Sequence, residues 1–255
     1  MIQSDEGRLS RREVLLGGGL LLGAALVAGC QGSRGPSSAL PGPRWPSEVD
    51  GPIVATPEPM PHPGGVPGEI GLPEGVLPRS AWTRAGVARP REINPMGGIT
   101  RITVHHDGMP PVELRTVADV TARLEQIRRA HVNRAGQPFA DIGYHYIIDP
   151  EGRVWEGRSV RYQGAHVREA NEHNLGVLVL GHFNYQRPTD RALAALDRFV
   201  AQQMALYRVP LNRVYTHQEL KPTECPGVNL QRYMERTRSR GGALALAASR
   251  GGTSI

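Results

Sequence analysis

The sequence predicts a single α/β domain, a central mixed β-sheet flanked by helices. Two observations lead there. Short runs rich in β-branched residues alternate with longer segments whose apolar residues recur at helical spacing. One of the short runs, residues 175–180, is nearly all apolar, as expected of a strand buried on both faces.

The elements follow in chain order. Residues 99–105, Ile99-Thr-Arg-Ile-Thr-Val-His105, form a β-branched strand. Over 117–131, Val117, Val120, Leu124 and Ile127 share one helical face. A second strand covers 144–148 and runs into Asp149-Pro-Glu-Gly152, a turn sequence, so residues 154–156 return as a hairpin partner. The buried strand at 175–180 comes next. Leu193, Leu196, Val200, Met204 and Tyr207 then mark an amphipathic helix over 190–207. A short strand at 214–216 and a final helix at 229–238 complete the domain, which is expected to span 77–238. The Gly/Ala/Ser-rich tail, 239–255, is assigned to disorder.

The first 76 residues have a different character. Ser10-Arg11-Arg12-Glu-Val-Leu-Leu16 leads into an apolar run that closes on Leu26-Val-Ala-Gly-Cys30. The run is about 15 residues long, short of the roughly 20 that span a bilayer. A charged start, a short apolar stretch and small residues before a break make a secretory signal over 1–29. The paired arginines resemble a twin-arginine export signal, and the segment ending at Cys30 resembles a bacterial lipobox, whose cysteine is lipidated. Residues 30–76, dense in Pro, Gly and Ser, bury too little apolar surface to offset their ordering entropy and are expected to form a tether.

The chain has 255 residues, a net charge of +6 with Arg far outnumbering Lys, and 39% hydrophobic residues. No basic run is interleaved with aromatics, so no nucleic-acid partner is expected. Two cysteines, Cys30 and Cys225, exclude a disulfide scaffold.

Cys225 carries the chemistry. A lone thiol outside the cell oxidises unless it is buried or bound to metal. His217 precedes it across the loop Gln-Glu-Leu-Lys-Pro-Thr-Glu. Imidazole and thiolate are both favoured zinc ligands, and a third ligand from a strand end, His105, leaves a fourth position open for water. The spacing alone is also compatible with a buried structural cysteine and ordinary histidines.

More specific is the order of motifs. Arg79-Ser-Ala-Trp82 is followed by Ile102-Thr-Val-His105-His106, then Asp141-Ile-Gly-Tyr144-His145-Tyr-Ile-Ile-Asp149. Gly152-Arg-Val-Trp-Glu156-Gly-Arg158, Gly164-Ala-His166, Asn171 and Gly176-Val-Leu-Val-Leu-Gly181-His-Phe183 come next, and the series closes on residues 217–227. From about 78 to 232 the chain resembles the peptidoglycan recognition proteins and phage-type N-acetylmuramoyl-L-alanine amidases. The resemblance implies a zinc site at the sheet's edge in a surface groove, with His105, His217 and Cys225 as ligands. It implies that Tyr144 sits beside the metal. Thr223 stands where phage enzymes have lysine and active recognition proteins have threonine, which puts a lysine-assisted mechanism in doubt. The implied reaction is hydrolysis of the amide between N-acetylmuramic acid and L-alanine, with Tyr144 and Thr223 donating to the developing oxyanion. Two routes for the proton stay open, solvent or Glu156. The plainer role for Glu156 is a surface or salt-bridged carboxylate near Arg158. His166 and Asn171 are expected to line the substrate groove. Strand alternation sends His106 to the face opposite His105 and His145 to the face opposite Tyr144. His62, His131, His173 and His182 are taken as surface or packing residues. The expected partners are peptidoglycan or muropeptides and, through the anchor, a membrane; the expected state is a monomer. Members that bind without cutting usually lack the cysteine, so its presence favours an enzyme over the alternative, a non-catalytic peptidoglycan-binding or sensing lipoprotein.

Cys30→Ala is expected to move the protein from the membrane to the soluble fraction on fractionation. Unchanged membrane association refutes the lipid anchor.

Overall fold

The computed structural model describes residues 71–250; the expected export signal, most of the expected tether and Cys30 lie outside them. Six strands form one sheet in the order β1-β4-β3-β5-β2-β6. They are β1 (Val76–Leu77), β2 (Arg101–His106), β3 (Tyr146–Ile148), β4 (Val154–Glu156), β5 (Asn174–Val179) and β6 (Val214–Thr216). Only the β3–β4 hairpin is antiparallel; every other neighbouring pair is parallel. The sheet is therefore mixed, as expected. β5 lies between β3 and β2, and all six of its residues are buried, which accounts for its nearly all-apolar run.

Alternation along the strands divides the core. Ile102 and Val104 of β2, with Leu175, Val177 and Val179 of β5, face the helices α2 (Asp190–Tyr207), α4 (Val228–Arg238) and α5 (Ala243–Arg250). The opposite face carries Leu178 of β5 and Ile147 of β3 and is covered by α1 (Val117–Val132) through Val120, Leu124 and Ile127. His105, next to Val104 on β2, falls on this second, α1 side.

The helix limits have local causes. Thr116 opens α1 with a reciprocal capping box, its hydroxyl accepting from the Asp119 N–H while the Asp119 carboxylate accepts from the Thr116 N–H. Thr189 caps α2, and Arg208 ends it in the left-handed conformation at φ 54°. A four-residue helix, α3 (His217–Leu220), follows β6 directly.

Two differences from the sequence reading stand out. The domain begins earlier than residue 77, because Val76 pairs with Val154 and belongs to the core. Within the segment expected to be disordered, residues 243–250 form α5, which packs on α2 and α4 with Leu244 fully buried. The composition of the tail hid this. Leu244 and Ala248 turn into an existing apolar face, and the Leu244 N–H donates to the Thr237 hydroxyl, so contacts from outside the segment hold a helix whose own sequence is mostly small residues. Among the described residues no helix is long and apolar enough to cross a membrane.

Leu244→Ala should lower unfolding stability by about 3 kcal/mol, read from urea denaturation of the full chain. No measurable loss means that α5 does not contribute to the core.

Candidate metal centre

His105 lies near the carboxyl end of β2, a strand paired on both sides with parallel neighbours. In open α/β sheets functional sites gather at the carboxyl ends of the strands. His217 is brought there by β6, the neighbour of β2, because α3 starts where β6 stops. The start of α3 is tied down by the Glu219 carboxylate, which accepts from the Thr216 N–H at 2.8 Å and pairs with Arg238 at 2.6 Å. Cys225 returns to the same point because the Gln218 N–H donates to the Cys225 carbonyl at 2.9 Å, closing the intervening loop.

One ligand atom from each of His105, His217 and Cys225 lies within 4.8 Å of the other two, and all three residues are buried. The Cys225 sulfur is 3.6 Å from His105 Nδ1 and accepts the His106 N–H at 3.4 Å. Cys225 is a free cysteine. The cluster straddles the carboxyl ends of two strands: His105 lies one strand in from the edge, and His217 follows the edge strand β6 itself.

Charge at the cluster is kept low. Burial, then His217, His166 and His106, hold the His105 imidazole well below its ordinary pKa. Burial brings His217 down to about 4. Burial, with a further push from Asp107, raises the Cys225 thiol to about 12, partly offset by the His106 N–H. Both imidazoles are thus neutral near pH 7, the form in which they bind a cation, and a cation held by Cys225 must displace the thiol proton.

A divalent ion fits these residues on three counts. Two neutral imidazoles and one sulfur are a zinc donor set. The His217 Nδ1 atom is buried without a hydrogen-bond partner, an arrangement that costs free energy unless something occupies that direction. The Tyr144 hydroxyl is also buried and unpartnered, and its ring lies 5.2 Å from that of His105. Burial, Cys225 and Asp107 hold Tyr144 well above the ordinary phenol pKa, so the hydroxyl stays protonated as a donor.

The structure separates the remaining sequence expectations. Thr223 is exposed and its hydroxyl accepts the Cys225 N–H at 3.3 Å, leaving the hydroxyl proton free. Glu156 is not part of the cluster. β3 and β5 stand between its strand and β2, and its carboxylate accepts the backbone N–H of Arg79 at 2.9 Å. It does not pair with Arg158 either, which donates instead to the carbonyls of Asp141, Ile142 and Gln163. His166 lines no groove: it is fully buried, 3.0 Å from His105 Nε2. Asn171 is buried as well, its carboxamide oxygen accepting the N–H groups of His166 and Val167. Residues 164–167 are buried, and the His166 ring packs against Gly176 of β5.

His106 points to the α2 side, where its Nδ1 accepts the Phe183 N–H at 3.2 Å. His145 does not oppose Tyr144. β3 begins only at Tyr146, and the irregular backbone before it turns both rings toward His166, at 5.7 and 6.4 Å. His131 is a packing residue whose Nδ1 accepts the Gly143 N–H at 3.0 Å. His173 and His182 are half-buried, and His62 lies outside the described residues.

Sequence reasoning passed over Asp107. Its carboxyl is buried 3.7 Å from Arg123 and raised to about 6, burial outweighing the nearby guanidinium. It also overlooked Gly176, although a glycine inside a buried apolar strand signals close approach of another group. That group is the His166 ring, 2.5 Å from where a Cβ at Gly176 would stand.

Residues 95–228 match the family described as N-acetylmuramoyl-L-alanine amidase. The chain is 31% identical to peptidoglycan-recognition protein SC1a of Drosophila melanogaster, over 50% of this chain and 67% of that protein. It is 30% identical to an N-acetylmuramoyl-L-alanine amidase of Sus scrofa, over 62% of this chain but only 26% of that longer protein. Among solved structures, bumblebee PGRP-SA superposes with a TM-score of 0.56 at 26% identity, covering 63% of this chain and 93% of the other.

Buried imidazoles predict acid sensitivity. His131, lowered to about 3 by burial and by Arg158 and Arg134, and His145, lowered mainly by burial to about 4, refuse protons that the unfolded chain accepts below its ordinary value of 6.5. Their contribution is intact above that value and is lost progressively below it, by up to about 1.4 kcal/mol per pH unit for each ring. Urea midpoints of the metal-free full chain should therefore fall between about pH 7 and pH 5. His131→Asn keeps an acceptor for Gly143 and should show a shallower fall; an unchanged slope contradicts this assignment.

Proposed function

The chain belongs to the N-acetylmuramoyl-L-alanine amidase family, and from that membership we propose that it is a zinc-dependent enzyme hydrolysing the amide between N-acetylmuramic acid and L-alanine in peptidoglycan. The observation that carries this reading is the convergence of His105, His217 and Cys225. A trio of ligands with a fourth position left open is the catalytic form of a zinc site; structural sites are closed by four. A zinc ion held there supplies Lewis acidity and an activated water.

The chain's own residues do the rest. Tyr144 offers a protonated, unpartnered hydroxyl beside the ligands, suited to donate to an oxygen on which negative charge develops. Burial sharpens that interaction, because few competing dipoles screen it. Thr223 contributes a second hydroxyl from the exposed rim, its oxygen oriented by the Cys225 N–H. With β3 and β5 between Glu156 and β2, and its carboxylate accepting the Arg79 N–H, this reading assigns the reaction's proton to solvent. Export and a lipid anchor on Cys30 belong to the same proposal and rest on residues 10–30 alone.

Incubating the full chain with purified cell-wall sacculi, with and without a chelator, tests the reading. The expected result is release of peptides with a new L-alanine amino terminus, lost on chelation and restored by zinc. Cys225→Ser should abolish release, and Tyr144→Phe should slow turnover about 100-fold while leaving wall binding. Binding without release by the zinc-loaded wild type establishes the non-catalytic alternative instead.

A further inference from the structure

A neutral imidazole is asymmetric: one ring nitrogen donates and the other accepts. Whether His105 can offer Nδ1 to a cation therefore depends on which of its nitrogens holds the proton. The partners behind it decide this. His166 Nε2 lies 3.1 Å from the Asn174 carbonyl oxygen. A carbonyl can only accept, so Nε2 of His166 carries a proton. His166 is fully buried, and no carboxylate is among its hydrogen-bond partners. Such a ring is neutral, since a lone buried charge is costly. Its Nδ1 is then a lone pair, and the hydrogen in the 3.0 Å contact must come from His105 Nε2. His105 is left with a bare Nδ1, the nitrogen 3.6 Å from the Cys225 sulfur.

We propose that His166 is a positioning residue, the middle link of a carbonyl–imidazole–imidazole relay that locks His105 in the tautomer whose Nδ1 is free for the metal. The proposal rests on the ligand assignment above and deepens it. The opposite tautomer would place a proton at the binding nitrogen and set two lone pairs, those of His166 Nε2 and the Asn174 carbonyl, against each other.

The surroundings of His166 are built to hold one ring orientation. A Cβ at Gly164 would stand 2.3 Å from the ring and one at Gly176 2.5 Å, so two glycines leave the space it fills. Asn171 fixes its backbone N–H at 2.8 Å. Asn174, whose carbonyl ends the relay, is held in turn by the Thr103 hydroxyl at 2.8 Å and by its own amide donating to the Ala170 carbonyl at 2.7 Å. A histidine present only to fill space requires none of these directional contacts. Partners of this kind behind a ligand typically change metal affinity about 10–100-fold.

The test is nitrogen NMR of the isotopically labelled full chain, stripped of metal, joined to zinc competition against a chromophoric chelator. His105 is expected in the Nε2–H tautomer. His166→Leu should weaken zinc binding about 10–100-fold, while His166→Asn, whose side-chain oxygen can accept from His105, should recover most of it. A wild-type His105 protonated at Nδ1 overturns the relay. So does a folded His166→Leu protein with undiminished zinc affinity. The wild-type spectrum decides the matter even if His166→Leu does not fold. Intact zinc binding and the expected tautomer without cleavage of wall would refute the hydrolase and leave the relay standing.

Discussion

The site depends on the parallel pairing of β2 with β5 on one side and β6 on the other. Parallel strands end together, so what leaves their carboxyl ends meets in one place. His105 is held by the ladder itself, and His217 begins the helix that follows β6. Cys225 is the only one of the three donors carried by neither a strand nor a helix, and backbone hydrogen bonds from Gln218 and Lys221 tie its loop to that helix. Rigid elements thus set two of the three donors, and the third needs only a short closed loop.

The same pairing creates an electrostatic problem. Imidazoles and a thiol cluster where few waters reach, and an uncompensated charge there is unfavourable. The protein resolves this by keeping the groups neutral and directing their hydrogen bonds inward. His166 is satisfied by Asn174, His145 by Tyr162 and Gly176, and His106 by Phe183. The exceptions at the cluster are informative. His217 Nδ1 and the Tyr144 hydroxyl remain buried and unpartnered. Asp107 Oδ2 also lacks a hydrogen-bond partner, but the Arg123 guanidinium stands 3.7 Å from it; the Gln203 carboxamide, on α2, is unpartnered as well. The two atoms beside the ligands have directions reserved for something the chain itself does not supply.

Much of the architecture was legible because it follows from periodicity. α1 and α2 each bury one stripe, and β5 buries everything, so their patterns are plain in a single sequence. Elements stabilised by a few distant contacts were not. β1 is two residues long and exists through pairing with β4. α5 exists because Leu244 finds a face made by α2 and α4. Neither signal is contained in the segment itself.

The three donor residues, their chemical type and the hydroxyls of Tyr144 and Thr223 could be named from the order of motifs, since residue identity and sequence order are what a chain carries. Distance and direction were decided by the fold. His166 and Asn171, drawn from the same motifs, are buried, and Glu156 lies beyond two intervening strands. The physical reason is that a side chain's role depends on which face it occupies and what lies across from it. Those are properties of strand register and loop closure, which arise only when segments far apart in the chain come together.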